Sequence, residues 1–461
     1  MTVEAVILAA GRGKRMHSTL PKVLHRVGGR PLLHHLLDTV HRIRPARIHI
    51  VVGHGKDRVM ENIENEYLTD EKASLIHWVE QPEPKGTGHA VLQAIPAIDR
   101  NSTVLVLNGD TPLLQADTMQ AVCRPGKALN LLTANLPDPS GMGRILRNGD
   151  GGILRIVEEK DADESEKSIL ETNANCMSTE AGCLADWLPL LDNRNANREF
   201  YLTDIVECAV NEGVPVYGIP APDILEVQGI NSKKDLEKAE RIYQARLAGK
   251  LMSQGVTVMD SSRLDVRGTC RFGRDCTVDV NVILEGKVTV GNGVRIGPNT
   301  VIRDSTIGDG CIIEANSVID SATIGKKCAI GPFARIRPQT VLEDRVRIGN
   351  FVEVKKSRIG TGSKVSHLSY IGDSEIGRQA NIGAGVVTCN YDGTNKHPTT
   401  IGNHAFIGSG SQLIAPVVIG DGATVGAGST ITRNVGDYHL ALSRVPQENK
   451  EKRKHHKKKG K

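Results

Sequence analysis

Residues 401–431 read IGNHAFIGSGSQLIAPVVIGDGATVGAGSTI, and Ile401, Ile407, Leu413, Ile419, Val425 and Ile431 within that stretch stand six residues apart. Gly402, Gly408, Gly420 and Gly426 follow four of them. A helix repeats at 3.6 and a simple strand at 2, so neither produces this spacing. A three-sided coil does, each side a short strand, with stacked coils burying one aliphatic column. Working outward, the same beat runs through Val290, Ile296 and Ile302. It restarts at Ile307, Ile313 and Ile319, again at Ile324, Ile330 and Ile336, and resumes at Leu342, Ile348 and Val354. It prevails from about Val256 to Val435, broken once by a non-repeating excursion, Thr388 to Thr400 (TCNYDGTNKHPTT). Loops that interrupt such arrays gather on a binding face.

Composition agrees with a core of this kind. Aromatics are only 3% of the 461 residues and glycines number 48, which suits an aliphatic column with tight corners. The nine cysteines make no CxxC, and the close pair Cys270 and Cys276 lacks metal spacing, so they read as small apolar residues of a reducing compartment. No apolar run reaches eighteen residues and no leader pattern opens the chain, so the expected location is cytoplasmic, without a membrane span. The net charge of +5 is concentrated in residues 450–461, which carry +7 and leave the rest at −2. That basic tail reads as a solvated end, with no specific nucleic-acid partner expected.

Upstream of the array the pattern changes. Val3 to Ala9 is a nearly continuous apolar run, as in a parallel strand buried on both faces. After a glycine-rich turn, Pro31 opens a helix whose Leu32, Leu33, Leu36, Leu37, Val40 and Ile43 share one face. Strands follow at Ile48–Val52, near Leu75–Val79 and at Thr103–Leu107, with a helix at His89–Ile95 between the last two. This alternation predicts a doubly wound α/β domain, whose ligands bind at the carboxyl ends of the strands. The organisation expected is therefore an α/β domain over 1–230, a connecting amphipathic helix over 231–251, a β-helix over 252–446 and the basic tail over 447–461.

Two motifs fall at those strand ends. Leu8-Ala9-Ala10-Gly11-Arg12-Gly13-Lys14-Arg15-Met16 follows the first strand, with Pro21-Lys22 shortly beyond. Glycines allow backbone to approach a phosphate chain, and Arg15 and Lys22 bring positive charge to it. The spacing is neither that of the P-loop nor that of the three-glycine dinucleotide turn. Asn108-Gly109-Asp110 ends the Thr103–Leu107 strand. Taken alone it is a hairpin signal, with Asp110 an ordinary turn residue. At a strand's carboxyl end in a doubly wound sheet, however, its carboxylate faces the crevice and is a candidate to hold Mg²⁺ against phosphates.

Together with Gln81, Gly86-Thr87-Gly88-His89, Gly143-Arg144, Glu158, Asn173 and Gly229-Ile230-Asn231, these motifs resemble the nucleoside-diphosphate-sugar pyrophosphorylases. Over essentially the whole chain the resemblance is to bacterial bifunctional enzymes joining an N-acetylglucosamine-1-phosphate uridylyltransferase, Rossmann-like in fold, to a glucosamine-1-phosphate acetyltransferase built as a left-handed parallel β-helix. It implies that Leu8, Ala9, Ala10, Gly11, Gln81, Gly86, Thr87, Asn108 and Gly109 surround UTP. Lys22 and Arg15 would meet its phosphates, and Asp110 and Asn231 would bind Mg²⁺. Gly143, Glu158 and Asn173 would contact N-acetylglucosamine. Three positions depart from the family pattern: Lys14 replaces Thr or Ser, Asn108 replaces an aromatic, and Asn173-Ala174-Asn175 replaces Asn-Thr-Gly. Asn175 there takes the place of a glycine, and Asn tolerates left-handed backbone better than most residues.

In the array, His367 lies in Ser366-His367-Leu368-Ser369-Tyr370, and Arg337, Lys355 and Lys356 come from preceding coils. Taken alone, the histidine reads as a structural residue, and the cations read equally well as a solvated face. The resemblance implies instead that His367 is a general base freeing an amine for attack on acetyl-CoA, a role that suits neutral imidazole and contributes ~10² to 10⁴ in rate. Arg337, Lys355, Tyr370 and Asn381 would hold glucosamine-1-phosphate. Asn390 and Tyr391 would adjoin both the sugar and the acetyl-CoA, whose path Ala384, Ser409, Ala427 and Arg444 would line. It implies a homotrimer as well. Two other readings share the fold: a trimerising scaffold, which has no need of His367, Tyr370, Asn390, Tyr391 and Arg444, and a non-catalytic sensor, which has no need of Arg15, Lys22 and Asp110. A zinc hydratase would need converging histidines, and before the tail the array offers only His367, His397, His404 and His439 without metal spacing.

Overall fold

A computed structural model describes residues 2–451 of the chain, so the basic tail expected over 447–461 lies outside the described residues from 452 onward. The chain forms two compact units, one ending at Tyr243 and one beginning at Gln244.

The first unit is a sheet in the order Val216–Pro220, Leu129–Asn135, Glu171–Glu180, Thr103–Asn108, Val3–Leu8, Arg47–Val52, Ile76–Glu80. All neighbours are parallel except Glu171–Glu180, which runs antiparallel to both its neighbours in this order and also to Arg144–Arg147. Its apolar strands are covered on both faces: Val6, Val104 and Val106 face one core and Ala5, Ile7, Leu105 and Leu107 the other. Helix Leu32–Arg42 packs on the second face and helix Thr87–Ala94 on the first. The chain runs outward from Val3–Leu8 to Ile76–Glu80 and then crosses back to Thr103–Asn108. The order of strands thus reverses between the neighbours Leu8 and Asn108, where doubly wound sheets bind ligands.

The connecting helix spans Lys233–Ser253. At its start Asp235 Oδ2 accepts from the Asn231 and Ser232 amides at 3.1 and 2.8 Å, while Ser232 Oγ accepts from the Asp235 amide at 3.2 Å, a reciprocal cap that starts the helix and leaves Asn231 outside it.

The second unit is a three-faced left-handed β-helix. One face is a sheet of eleven short parallel strands, and the other two faces join in a sheet of seventeen. Ile302 pairs with Ile319 and Ile319 with Ile336, Ile313 with Ile330 and Ile330 with Ile348, so these coils take 17 or 18 residues, whereas the coil that carries the excursion takes 25, from Ile382 to Ile407. The restarts at Ile307 and Ile324 mark 17-residue coils, whose third corner is one residue shorter and is turned by Asp304 and Ser321 at φ 39° and 47°. The repeat aliphatics form one buried column. The excursion lies between strands Val387–Cys389 and Thr399–Ile401. The nine cysteines are free thiols, none of them exposed. No helix of the described residues is long and apolar enough to cross a membrane.

Candidate functional site

At the reversal point of the first unit opens a cavity of about 640 Å³. The turn after the first strand supplies Leu8, Ala9, Ala10, Gly11, Arg12, Gly13 and Lys14 to its wall. Lys22, Gln81, Gly86, Thr87, Asn108 and Asp110 complete it, with Lys160, Asn197 and Glu199 from distant loops. Gly109 allows the strands to close beneath: a Cβ there would meet the Leu8 carbonyl oxygen at 2.9 Å. Gly86, at φ 114°, opens helix Thr87–Ala94 where a Cβ would fall 2.5 Å from the Phe200 carbonyl oxygen. Gln81 is buried, and its Nε2 donates to the Gly86 carbonyl at 3.1 Å. Arg15 is exposed and is not part of this wall, whereas its neighbours Arg12 and Lys14 are.

Lys22 is the centre of the polar floor. Its Nζ donates to Asp110 Oδ2 and, at 3.0 Å, to Asn231 Oδ1, drawing together two residues 121 positions apart in the chain. The Ile230 amide donates to the Asp110 carbonyl at 3.0 Å, and Gly229 places no side chain beside the Asp110 carboxylate, where a Cβ would lie 3.8 Å from both its oxygens. A carboxylate and an amide oxygen already arranged around an ammonium are hard oxygen donors of the kind Mg²⁺ takes, so these residues fit such an ion.

A second cavity of about 230 Å³ shares Thr87, Asn108, Asn197 and Glu199 with the first and adds Glu158, Asn173, Asn175, Met177 and Thr203. Glu158 accepts from Thr203 Oγ1 at 3.0 Å, and burial raises its carboxyl above the ordinary range. Asp204 is pushed up to about 6 by burial and then by the Glu158 charge. Gly143 stands against Glu158, since a Cβ there would lie 3.5 Å from Oε1, and its carbonyl accepts from the Asn173 amide at 2.9 Å. Asn175 has φ 55°, the left-handed backbone expected of the residue that replaces glycine, and the strand carrying it shifts register there.

In the β-helix, the candidate residues gather at one corner and the face beyond it. Corner hydrogen bonds run from the Leu368 amide to the Asn350 carbonyl, from Gly385 to His367, from Gly410 to Ala384 and from Gly428 to Ser409. Asn350, His367, Ala384, Ser409 and Ala427 therefore stack on successive coils, and Arg444 Nη1 donates to the Ala427 carbonyl at 2.8 Å. Beside the small residues of this track His367 is exposed, its Nδ1 2.6 Å from Asn350 Oδ1. On the next face Tyr370 lies over Gly372, which pairs with Lys355. Arg337 pairs with Glu353 at 2.7 Å, and Lys356 with Asp373 at 3.5 Å. Asp373 also accepts from Asn390 Nδ2 at 2.5 Å. The ammonium of Lys396, from the excursion, lies beside that of Lys355, and the like charge holds Lys355 below the usual lysine range. Tyr391 is exposed, its hydroxyl bound to the Gly393 carbonyl at 2.6 Å. Asn381 pairs with Lys364 on the face before the corner, apart from Tyr370.

Two residues of this region escape sequence reasoning: Asn350, which holds the His367 ring, and Lys396, which lies within the excursion Thr388 to Thr400. In the first unit such reasoning missed Arg12 and Lys14, inside the quoted turn, and Lys160, Asn197 and Glu199, for which no local pattern exists. Lys160 Nζ reaches Asn197 Oδ1 at 2.7 Å across 37 residues.

The chain is similar in sequence to known proteins. The MobA-like NTP transferase domain matches residues 5–174, the GMPPB C-terminal domain residues 266–359, and the bacterial transferase hexapeptide pattern of six repeats residues 398–433. The chain is 50% identical over 443 residues to the bifunctional protein GlmU of Alkalilimnicola ehrlichii, covering 96% of this chain and 94% of that one. It is 47% identical to that of Marinobacter nauticus and 48% identical to that of Legionella pneumophila subsp. pneumophila, each over 97% of both chains. Alignments that cover 96–97% of this chain span both units, and the chain belongs to the bifunctional GlmU family.

Proposed function

We infer that the chain makes UDP-N-acetylglucosamine by two separate reactions. The β-helix transfers acetyl from acetyl-CoA to glucosamine-1-phosphate, and the α/β unit transfers UMP from UTP to N-acetylglucosamine-1-phosphate, releasing pyrophosphate. In the second reaction a phosphate oxygen of the sugar attacks the α-phosphorus of UTP as the bond to pyrophosphate breaks. Two anions must meet, so positioning and charge neutralisation account for the catalysis, without a covalent intermediate. Leu8, Ala9, Ala10, Gly11, Gln81, Gly86, Thr87, Asn108 and Gly109 hold the nucleotide. Lys22, with Arg15 at the mouth of the turn, draws in the phosphates, while Gly143, Glu158 and Asn173 orient the sugar. Asp110 and Asn231 would hold Mg²⁺, which neutralises phosphate charge when bound.

In the acetyl transfer, His367 Nε2 takes a proton from the attacking amine, the new bond forms to the thioester carbonyl, and coenzyme A leaves as the thiol. Arg337 and Lys355, joined by Lys396, bind the sugar phosphate, with Tyr370 and Asn381 at the sugar. Asn390 and Tyr391 adjoin the acetyl group, and Ala384, Ser409, Ala427 and Arg444 line the coenzyme path. We propose a homotrimer in which Asn381, on a different face from Tyr370, serves a neighbouring chain's site. The exposed apolar residues Phe333, Phe351 and Leu368 beside His367 support it. A cytoplasmic location follows from UTP and acetyl-CoA as substrates.

The observation that carries the reading is the Lys22 contact to both Asp110 and Asn231 on the floor of a cavity large enough for a nucleotide. Assaying both half-reactions in Asp110→Ala and His367→Ala tests it. Asp110→Ala is expected to abolish only uridylyl transfer and His367→Ala only acetyl transfer. Loss of both activities in either folded variant would overturn the two-site assignment.

A further inference from the structure

We infer that Arg144 is a positioning residue for uridylyl transfer: with Glu159 it clamps the Gly141–Gly143 turn against Glu158 and so shapes the sugar end of the pocket. The inference rests on the assignment of Gly143, Glu158 and Asn173 to the sugar.

Arg144 begins the strand Arg144–Arg147, and its side chain is only 2% exposed. A guanidinium buried so deeply is unfavourable unless its donors are matched; its Nε has no partner among the described residues, so the bonds of its two Nη groups are what hold it. Nη2 donates to Glu159 Oε2 at 2.7 Å, with the Lys167 carbonyl at 3.5 Å, and Nη1 donates to the Met142 carbonyl. The same Glu159 oxygen accepts from the Gly141 amide at 3.0 Å. One carboxylate oxygen thus ties the backbone at Gly141 to the guanidinium, and the guanidinium ties down the carbonyl at Met142. Gly143, next in the chain, has no freedom left: its carbonyl accepts from Asn173, and even a methyl group there would lie 2.8 Å from Ile156 Cγ2.

The clamp acts on the pocket through adjacent residues. Glu158 and Glu159 are neighbours whose carboxylates go opposite ways, Glu158 to Thr203 and the sugar cavity, Glu159 to Arg144. Arg144 itself does not line that cavity, so its effect is indirect. A lysine could not replace it, because a single ammonium lacks the planar fork that reaches a carboxylate and a carbonyl on different sides.

Only the sugar end should feel the loss of this clamp, which separates it from a merely structural role. The test measures calorimetric dissociation constants of the full chain for UDP-N-acetylglucosamine and for UTP. Glu159, with a third of its side chain exposed, is the variant least disturbing to folding. Glu159→Ala is expected to weaken UDP-N-acetylglucosamine about tenfold, the effect of a lost charge-assisted hydrogen bond, and UTP less than twofold. Arg144→Lys should do the same. Glu159→Gln, which keeps an oxygen for both donors, should restore most of the affinity. Equal weakening of both ligands in Glu159→Ala, or of neither, would overturn the clamp. If Glu158→Gln left UDP-N-acetylglucosamine affinity unchanged, the sugar-site assignment would fall, and the clamp with it.

Discussion

His367 Nδ1 lies 2.6 Å from Asn350 Oδ1, one coil back in the stack. An amide oxygen only accepts, so the contact fixes the proton on Nδ1 and leaves the Nε2 lone pair free for a substrate. Asn350→Ala removes this control of ring and tautomer while leaving the imidazole in place. The kcat for acetyl transfer is expected to fall roughly tenfold, part of the ~10² to 10⁴ that the base supplies, with uridylyl transfer unchanged. Parallel assays of the two half-reactions decide it, and undiminished acetyl transfer would remove Asn350 from the mechanism.

Lys22 holds Asp110 and Asn231 together, and both its bonds run to oxygens that would bind a metal. Its ammonium therefore competes with a divalent ion while no phosphate draws it away. Lys22→Gln is expected to lower kcat/KM for uridylyl transfer by about 10² or more, since charge at the phosphates is lost. It should also tighten Mn²⁺ binding to the nucleotide-free protein. Paramagnetic titration with Mn²⁺ reads the second effect separately from activity.

Burial holds several histidines of the first unit in the neutral form. His34 is lowered to about 4, chiefly by burial, and His35 and His49 are lowered for the same reason. In the unfolded chain these groups protonate near 6.5, so between pH 6.5 and about 4 the unfolded state binds more protons than the native one. Stability is full above pH 6.5 and is lost as the pH falls through that window. The His34 share is ~2 kcal/mol once screening is discounted. Calorimetry from pH 7 to 4.5 should show the first unit's transition moving down in temperature, and His34→Gln should flatten that dependence.

What the sequence revealed depended on whether the information was local. The β-helix column was readable because each coil repeats the same requirement, an aliphatic every sixth residue, and Ile302, Ile319 and Ile336 stack as the beat requires. Asn175 was readable for a similar reason, since a left-handed turn admits few residue types, and its φ of 55° fits. Arg12 and Lys14 were visible as charge, but which cation of that turn faces the cavity depends on a single-turn helix, Lys14–Met16, that sends Arg15 to solvent. Lys160, Asn197 and Glu199 reach the pocket by folding of distant loops and carry no pattern at all. The same holds for Asn350, an ordinary corner residue until His367 stacks upon it.

The glycines offer the sharpest contrast between crowding and empty space. Gly349 precedes Asn350, and a Cβ there would sit 1.9 Å from the Ser366 carbonyl oxygen, backbone that cannot turn aside. Gly349→Ala must push strand Arg347–Asn350 away from Lys364–His367, so overpacking should destabilise the β-helix by ~1–3 kcal/mol and separate Asn350 from His367. Acetyl transfer should then fall at least as far as in Asn350→Ala, with uridylyl transfer retained. Gly249, inside helix Lys233–Ser253, has nothing within 4 Å of the place a Cβ would take. Gly249→Ala should therefore leave both activities intact and raise stability by ~0.5–1 kcal/mol through helix propensity alone. Thermal unfolding of the two variants beside the parent chain compares them directly. A neutral Gly349→Ala would mean that the coils carry slack at this corner, and the tight Asn350–His367 contact would lose its rationale.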